Sequence, residues 1–139
     1  MSLVPRLRSF GAVPLRSDDD LDRAERETLE RALDEPDASA VLLVAELAAE
    51  GVVGVAFGQT ETDYFNRERH GHLGILIVAE HGEGRGVGRA LLAAVEAWSR
   101  ERGYRFLSLN VFANNERACA MYERAGFSPD TVRYYKELG

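Results

Sequence analysis

The residues that combine chemistry with spacing lie between Val78 and Leu92. Gly84, Gly86 and Gly88 alternate with Arg85, Val87 and Arg89. Glycines at every second position leave backbone N–H groups that no side chain shields. An apolar run, Leu73 to Val78, stops just before them. A helical pattern starts just after: Val87, Leu91, Val95 and Trp98 share one face, with Arg89, Glu96 and Arg100 elsewhere. The order is strand, glycine loop, helix. A helix start carries unpaired N–H donors and the positive end of the helix dipole. With Arg85 and Arg89 adding charge, the stretch suits a pyrophosphate.

Two common phosphate motifs do not fit. A P-loop needs Lys followed by Ser or Thr after its last glycine, and Arg89-Ala90 stands there. The spacing Gly84-x-Gly86-x-Gly88 departs from the dinucleotide fingerprint. No parallel strand with an acidic end follows about 20 residues on, as that fingerprint requires. A plain glycine turn between strand and helix is the remaining alternative.

Other elements must hold this loop in place. Residues 1–11 carry no pattern and are expected to be poorly ordered. Ala12 to Arg16 reads as a short first strand. Ser17-Asp18-Asp19-Asp20 starts a helix over Leu21 to Leu33, and any of its aspartates can cap it. Asp34-Glu35-Pro36-Asp37 breaks that helix. Ala40 to Leu47 and Val52 to Thr60 form a hairpin around Ala48-Ala49-Glu50-Gly51. The charged stretch Glu61 to Gly71 holds Tyr64 and Phe65, which either cover a substrate site or pack on the nearest helix. His72 to Val78 is the strand feeding the loop, and the helix after it ends at Gly103. Arg105 to Val111 is a further strand. Strand, helix and strand make a βαβ unit, so the two strands are expected to be parallel. Asn114 or Asn115 caps the next helix, Gly126 ends it, and Thr131 to Leu138 reads as a last strand.

The composition bounds the function. One domain over residues 1–139 is expected, with enough chain for its own core. Net charge is −6, from 17 basic and 23 acidic residues, which argues against nucleic acid and suits a cationic substrate. No apolar run approaches the roughly 18 residues of a membrane span. No apolar leader opens the chain, and the single cysteine, Cys119, forms no internal disulfide. A cytoplasmic location is expected. No His/Asp partner pattern surrounds Cys119, so it reads as packing and not as a nucleophile.

Glu83-Gly84-Arg85-Gly86-Val87-Gly88, after a strand ending in Val, resembles the acyl-CoA loop of the GNAT (general-control-related N-acetyltransferase) superfamily, Arg/Gln-x-x-Gly-x-Gly/Ala. Position 83 departs from it, with Glu where the family has Arg or Gln. Asn115-x-x-Ala118-x-x-x-Tyr122-x-x-x-Gly126-Phe127 resembles the family's second pattern, in which an Asn and a helical Tyr lie beside the acyl-CoA. Together the two motifs cover residues 72–127. The resemblance implies an α/β fold of GNAT type: a mostly antiparallel mixed sheet, one parallel βαβ unit at the CoA site, and helices on both faces. It implies acetyl-CoA as acyl donor, no metal, and direct transfer to a primary amine of a small molecule or peptide. The implied CoA-binding residues are Leu76, Ile77 and Val78, then Glu83, Gly84, Arg85, Gly86, Val87, Gly88, Arg89 and Ala90, then Asn110, Asn115, Ala118 and Tyr122. After Gly126-Phe127 the family has two strands. Residues 128–139 suffice for one, and the open edge is expected to form a homodimer.

The implied reaction needs three groups. A lysine-like amine has a pKa of about 10.4 and must lose a proton before it attacks. A backbone N–H must polarise the thioester carbonyl, and the resemblance gives this to Val78. The departing thiolate gains from a proton donor, and the resemblance gives this to Tyr122, whose other reading is a core tyrosine. Strand alternation sets 72, 74, 76 and 78 on one face, so His72 is expected to point the same way as Val78 and to act as base. His70, or Glu61 or Glu80 through water, are the alternatives. A CoA-binding regulatory module without turnover is a second reading, with Glu83 as its hint. A transferase using another acyl group or a hydroxyl acceptor is a third.

Overall fold

The computed structural model describes residues 15–139. Most of the expected first strand, Ala12 to Arg16, therefore lies outside the described residues. Helix α1 runs Asp18–Asp34. Its cap is Ser17, whose hydroxyl accepts from the Asp20 N–H while the Asp20 carboxylate accepts from the Ser17 N–H. This reciprocal box satisfies two donors that a helix start otherwise leaves free. Strands β1 (Ala40–Leu47), β2 (Gly51–Thr62) and β3 (Arg69–Val78) follow. Then come α2 (Val87–Glu101), β4 (Leu107–Leu109) and α3 (Glu116–Arg124).

The sheet order is β1-β2-β3-β4. The first three strands are antiparallel, and β3 pairs with β4 in parallel, as the βαβ pattern requires. Val53, Ala56 and Leu73 join Val87, Leu91, Leu92 and Val95 of α2 in one apolar layer. Val55, Phe57, Ile75 and Ile77 form a second layer on the opposite face, against Leu29 and Ala32 of α1. A mixed sheet covered by helices on both faces agrees with the expected fold class.

Helix α2 lies unusually close to the sheet. A methyl group at Gly54 would sit 2.9 Å from both Leu91 Cδ1 and Val87 Cγ1. One at Gly71 would overlap Ser99 Oγ. Glycine at these two points lets the first and last turns of α2 rest on the strands, which fixes where the helix starts and hence where the glycine loop stands.

Two strand expectations are corrected. Arg105 to Val111 pairs only over Leu107–Leu109, against Gly71 to Leu73. Beyond Leu73 the two strands part, and a strand without a partner leaves its backbone groups to water. Thr131 to Leu138 forms no strand, and the tail has no regular structure from Ser128 onward. Val132, Tyr134 and Leu138 are 66, 89 and 83% exposed, too little burial to offset the cost of ordering an edge strand. Among the described residues β4 is thus the sheet edge beyond β3, with β1 the edge on the other side.

The close approach is testable. Gly71→Ala should destabilise the fold by about 1–3 kcal/mol, the usual range for overpacking. Adding Ser99→Gly should restore most of the loss, because Ser99 is what the new methyl meets. Urea denaturation of the two single variants and the double variant measures the coupling. Additive losses would show that α2 is not pressed onto Gly71.

Candidate active site

The glycine loop begins where β3 ends. Ala79 leads into one 3₁₀ turn, Glu80–Gly82, and Glu83 closes it. Gly84 and Gly86 have φ of +74° and +76°, left-handed values that side chains disfavour, and no atom stands within 4 Å of where their Cβ would be. Gly86 is the N-cap of α2 and supplies no side-chain cap. The N–H of Ala90 is bonded to the carbonyl of Gly86. The N–H groups of Val87, Gly88 and Arg89, in the first turn, precede any possible intrahelical acceptor.

The loop's charges are partly engaged. The Arg85 guanidinium holds both oxygens of Glu50, in the β1–β2 turn, at 2.8 and 2.9 Å. Glu83, the departure from the motif, lies 3.7 Å from Arg117 of α3. Arg117 therefore brings a cation to the loop from another element, which no motif in the sequence signalled. Ala90 is exposed on the first turn, beside Arg89.

Next to the loop lies a gap in the sheet. Strand β3 has ten residues, but β4 covers it only as far as Leu73. The Ala79 N–H bonds to the Val53 carbonyl on the β2 side. Backbone groups alternate along a strand, so the N–H and C=O of Leu76 and Val78 point to the uncovered side. Ile77 is placed differently. Its side chain is in the α1-face core and its backbone faces β2. Across the gap, a methyl group on Gly88 would stand 3.5 Å from Val78 Cγ2 and 3.8 Å from Met121 Sδ of α3. Gly88 thus flanks the mouth. The Asn115 side chain accepts from the Ala118 N–H as the cap of α3, and Asn110 is exposed just after β4. Tyr122 is half-buried, edge-on to Phe127 at 5.8 Å. Burial, and then the nearby Cys119, push its phenol up to about 12.

His72 lies on the other side of the sheet. The register pairs Phe57 with Ile75 but Gly58 with Leu73, which leaves Gly74 as an extra residue in β3. Such a bulge reverses the alternation of faces. Leu73, Leu76 and Val78 pack toward α2, whereas Ile75 and Ile77 pack toward α1. His72 therefore points to the α1 face, opposite Val78, which corrects the face expected from simple alternation. It is 7% exposed. Its Nδ1 lies 2.8 Å from Ser108 Oγ and 3.3 Å from Glu61 Oε2. His70 Nε2 lies 3.0 Å from the same Ser108 Oγ. Burial lowers the His72 pKa from its ordinary 6.5; Glu61 works against that and His70 with it. A groove of about 730 Å³ opens on this side of the molecule between the end of α1, the start of β1 and β2. Glu35, Asp37, Phe57 and Gln59 are among its lining residues, and Gln59 is the cross-strand partner of His72.

The family model "Acetyltransferase (GNAT) family" matches residues 8–127. The chain belongs to the GNAT acetyltransferase family. It is 35% identical over 104 residues to aminoglycoside N(6')-acetyltransferase type 1 of Stenotrophomonas maltophilia, covering 72% of this chain and 68% of the relative. It is 44% identical over 87 residues to mycothiol acetyltransferase of Propionibacterium freudenreichii, covering 63% of this chain but 27% of that protein. Among solved structures it is similar to aminoglycoside N-acetyltransferase AAC(6')-Iy in complex with CoA, with TM-score 0.68, 22% identity, and 84 and 90% of the two chains covered. It is also similar to an aminoglycoside 6'-N-acetyltransferase from Acinetobacter haemolyticus, with TM-score 0.66, 17% identity, and 85 and 83% covered. At these identities the two structures bear on the fold. The sequence relatives and the family make this GNAT chain an N-acetyltransferase.

In the GNAT frame, the motif residues gather at the loop and the gap, while His72 stands behind the sheet with Ser108 and Gln59. Neither of those two was singled out from sequence. Their nearness to His72 depends on a parallel register and on a bulge. The electrostatics of His72 can be tested directly. Followed by NMR, the ring should titrate below 6.5, and Glu61→Gln should lower it further, because the Glu61 carboxylate is what holds the value up. His70→Ala should raise it. An unchanged midpoint in Glu61→Gln would remove Glu61 as the counter-charge.

Proposed function

We propose that the chain transfers an acetyl group directly from acetyl-CoA to a primary amine of a small molecule or peptide. The observation that carries this reading is the uncovered edge of β3, lying between the open glycine loop on one side and a buried, uncharged histidine on the other. The free N–H groups of Val87, Gly88 and Arg89 take the pyrophosphate, with Arg89 and Arg117 near it. Gly84 and Gly86 leave the space that phosphate oxygens need. The Leu76 and Val78 backbone takes the amides of the pantetheine arm, as a sheet edge takes an added strand. Asn110, Asn115 and Ala118 border the arm from the other side of the gap.

The roles follow from the placement. The Val78 N–H points to the uncovered side and holds the oxygen that becomes negative as the amine attacks. His72, kept neutral by burial, stands further back along β3, roughly 20 Å from Val78 at a strand's usual rise, so it takes the amine's proton through a chain of water on the α1 face. The donor thus enters from the α2 and α3 side and the acceptor from the α1 side. Tyr122, with its phenol near 12, stays protonated at neutral pH. A thiol titrates near 8.5, so full transfer from this phenol is uphill and its part is a hydrogen bond to the departing sulfur. Glu35 and Asp37 outweigh Arg31 in the groove's lining and, together with the chain's net charge of −6, favour a cationic acceptor. The aminoglycosides named for the Stenotrophomonas relative are of that kind. The relative named for mycothiol shows that members of the family differ in acceptor, so the proposal stays with the amine.

Two variants test the assignment, with release of free CoA from acetyl-CoA and a panel of amines as the assay. Gly88 has φ outside the left-handed region and room for one methyl group. The family's loop accepts alanine here, so the test is Gly88→Val, which exceeds that room and should cost about 1–3 kcal/mol of stability while still folding. It should weaken acetyl-CoA binding about ten- to a hundredfold, by crowding the mouth and the N–H groups beside it. Unchanged affinity in that folded variant would remove the loop as the CoA site. Tyr122→Phe should lower kcat about tenfold with the acetyl-CoA Kd nearly unchanged, because the lost hydrogen bond acts on the leaving group. Full turnover would leave Tyr122 as a packing residue. A chain that binds acetyl-CoA and releases no CoA with any amine would be the regulatory module instead.

A further inference from the structure

Four polar side chains from three strands meet on the α1 face: Glu61 of β2, His70 and His72 of β3, and Ser108 of β4. Their hydrogens can be placed by elimination. His70 Nδ1 lies 3.5 Å from the carbonyl oxygen of Glu68, which can only accept. The proton of a neutral His70 is therefore on Nδ1, and its Nε2 can only accept. Ser108 Oγ, 3.0 Å from that Nε2, must donate its single hydrogen there. Its lone pairs then accept from His72 Nδ1 at 2.8 Å. Glu61 Oε2, 3.3 Å from the same Nδ1, is a second group that can only accept. Both acceptors place the His72 proton on Nδ1, which leaves the lone pair on Nε2. The Gly71 carbonyl, at 3.5 Å, is the longer choice for the Ser108 hydrogen; taking it would leave the His72 proton on Nδ1 but would break the link to His70. Among the described residues, no group of His, Cys, Asp and Glu is arranged to hold a metal ion.

We propose that Ser108 is a positioning residue: its hydroxyl, shared by two imidazoles, holds His72 with the Nε2 lone pair free for the water that carries the acceptor amine's proton, and relays that proton to His70. This rests on the acetyl-transfer reading above. The relay balances with one proton moved. Water takes the proton as the amine N–H bond breaks and passes one of its own to His72 Nε2, so one N–H bond is lost and one is formed. The His72 Nδ1 proton passes to Ser108 Oγ as the Ser108 proton passes to His70 Nε2. Charge thus leaves a residue that is 7% exposed for His70, which is nearer solvent and within the field of Asp63 and Glu68 at the hairpin tip. Around the relay, Glu61 faces His72 from β2, His70 shares its strand, and Arg105, before β4, is bound by Glu68 at 2.7 and 3.1 Å. A serine so placed has no packing reason to be polar, since Leu107 and Leu109 beside it carry the contact with the core.

Nitrogen-15 NMR of the imidazoles in the free protein reads the tautomer without turnover. The expected parent signature is His72 protonated on Nδ1 and bare on Nε2. Ser108→Ala should leave the Nδ1 proton of His72 held by Glu61 alone, shift the Nδ1 signal, and lower kcat about ten- to a hundredfold, the scale of impaired general-base catalysis, while the acetyl-CoA KM stays put. Its loss should shrink at high pH, where more amine is already neutral. Ser108→Thr keeps the hydroxyl and should recover most of the rate and the parent Nδ1 signal. A parent His72 protonated on Nε2 would overturn the proposal, as would a Ser108→Ala enzyme with the parent rate and pH profile. If Ser108→Ala fails to fold, the parent tautomer and the Ser108→Thr rate decide. A parent with the expected tautomer but no CoA release would leave the geometry standing and defeat the transfer reading.

Discussion

One extra residue in β3 is the constraint on which the site depends. The bulge at Gly74 lets Leu73 and Leu76 pack on the same face although three positions separate them. It also marks where β4 stops following β3. A bulge bends its strand and sharpens the local twist. The parting of the strands exposes backbone groups of Leu76 and Val78 that a continued ladder would consume. The same event turns His72 to the face opposite Val78. A straight ten-residue strand would have buried the edge and placed donor and acceptor chemistry on one side, where helix α2 leaves no room. Gly74 is itself exposed, and a methyl group there would meet Phe57 Cδ2 at 3.4 Å, an ordinary contact, so the kink does not depend on glycine for space.

The second requirement is that α2 start at the right place. Its first turn has to deliver three free N–H groups to the mouth of the gap, and its position is set by contact and not by capping, since Gly86 provides no cap side chain. Val87, Leu91, Leu92 and Val95 anchor the helix in the core, and Gly54 and Gly71 let it come close. An uncapped start is a cost in most helices, of about 1 kcal/mol relative to a good cap. In the proposed site the orphan donors are the ligand-binding groups, and a serine or aspartate at position 86 would occupy one of them. Function and local stability compete at this residue, and burial of the apolar face along α2 covers the difference.

The parts legible in the sequence are those with local signals. The period of Val87, Leu91 and Val95 marked α2, and the alternation of glycines marked the loop. Asn115 marked the start of α3, and the strand–helix–strand order marked the parallel pair. The hairpin was readable from Ala48 to Gly51. What stayed hidden depends on pairing between distant segments. Nothing in Arg105 to Val111 says that only Leu107–Leu109 will find a partner, because the limit lies in the bulge of β3. Thr131 to Leu138 has strand composition, yet composition does not supply an edge long enough to pair with. Face alternation misplaced His72 for the same reason, as a period of two holds only through an unbroken ladder. Ser108 and Arg117 carry no signal of their own, since each matters through a neighbour brought in by the fold.

The cluster behind the sheet resolves a conflict between burial and charge. In the proposed reaction His72 is a base that must be neutral before it acts, and burial, which lowers its pKa, serves that. The imidazolium formed after proton capture is penalised by that same burial. Glu61 offsets the penalty at short range, but a carboxylate in direct contact would also raise the resting pKa and begin to protonate the base. The compromise visible here is distance and division. Glu61 stands at 3.3 Å from Nδ1 while the shorter 2.8 Å contact goes to a neutral hydroxyl. His70, Asp63 and Glu68 lie one step further out, toward water. A histidine arranged this way rests uncharged, and its positive charge has somewhere to go once formed. Neither a lone buried histidine nor a tightly ion-paired one meets both conditions.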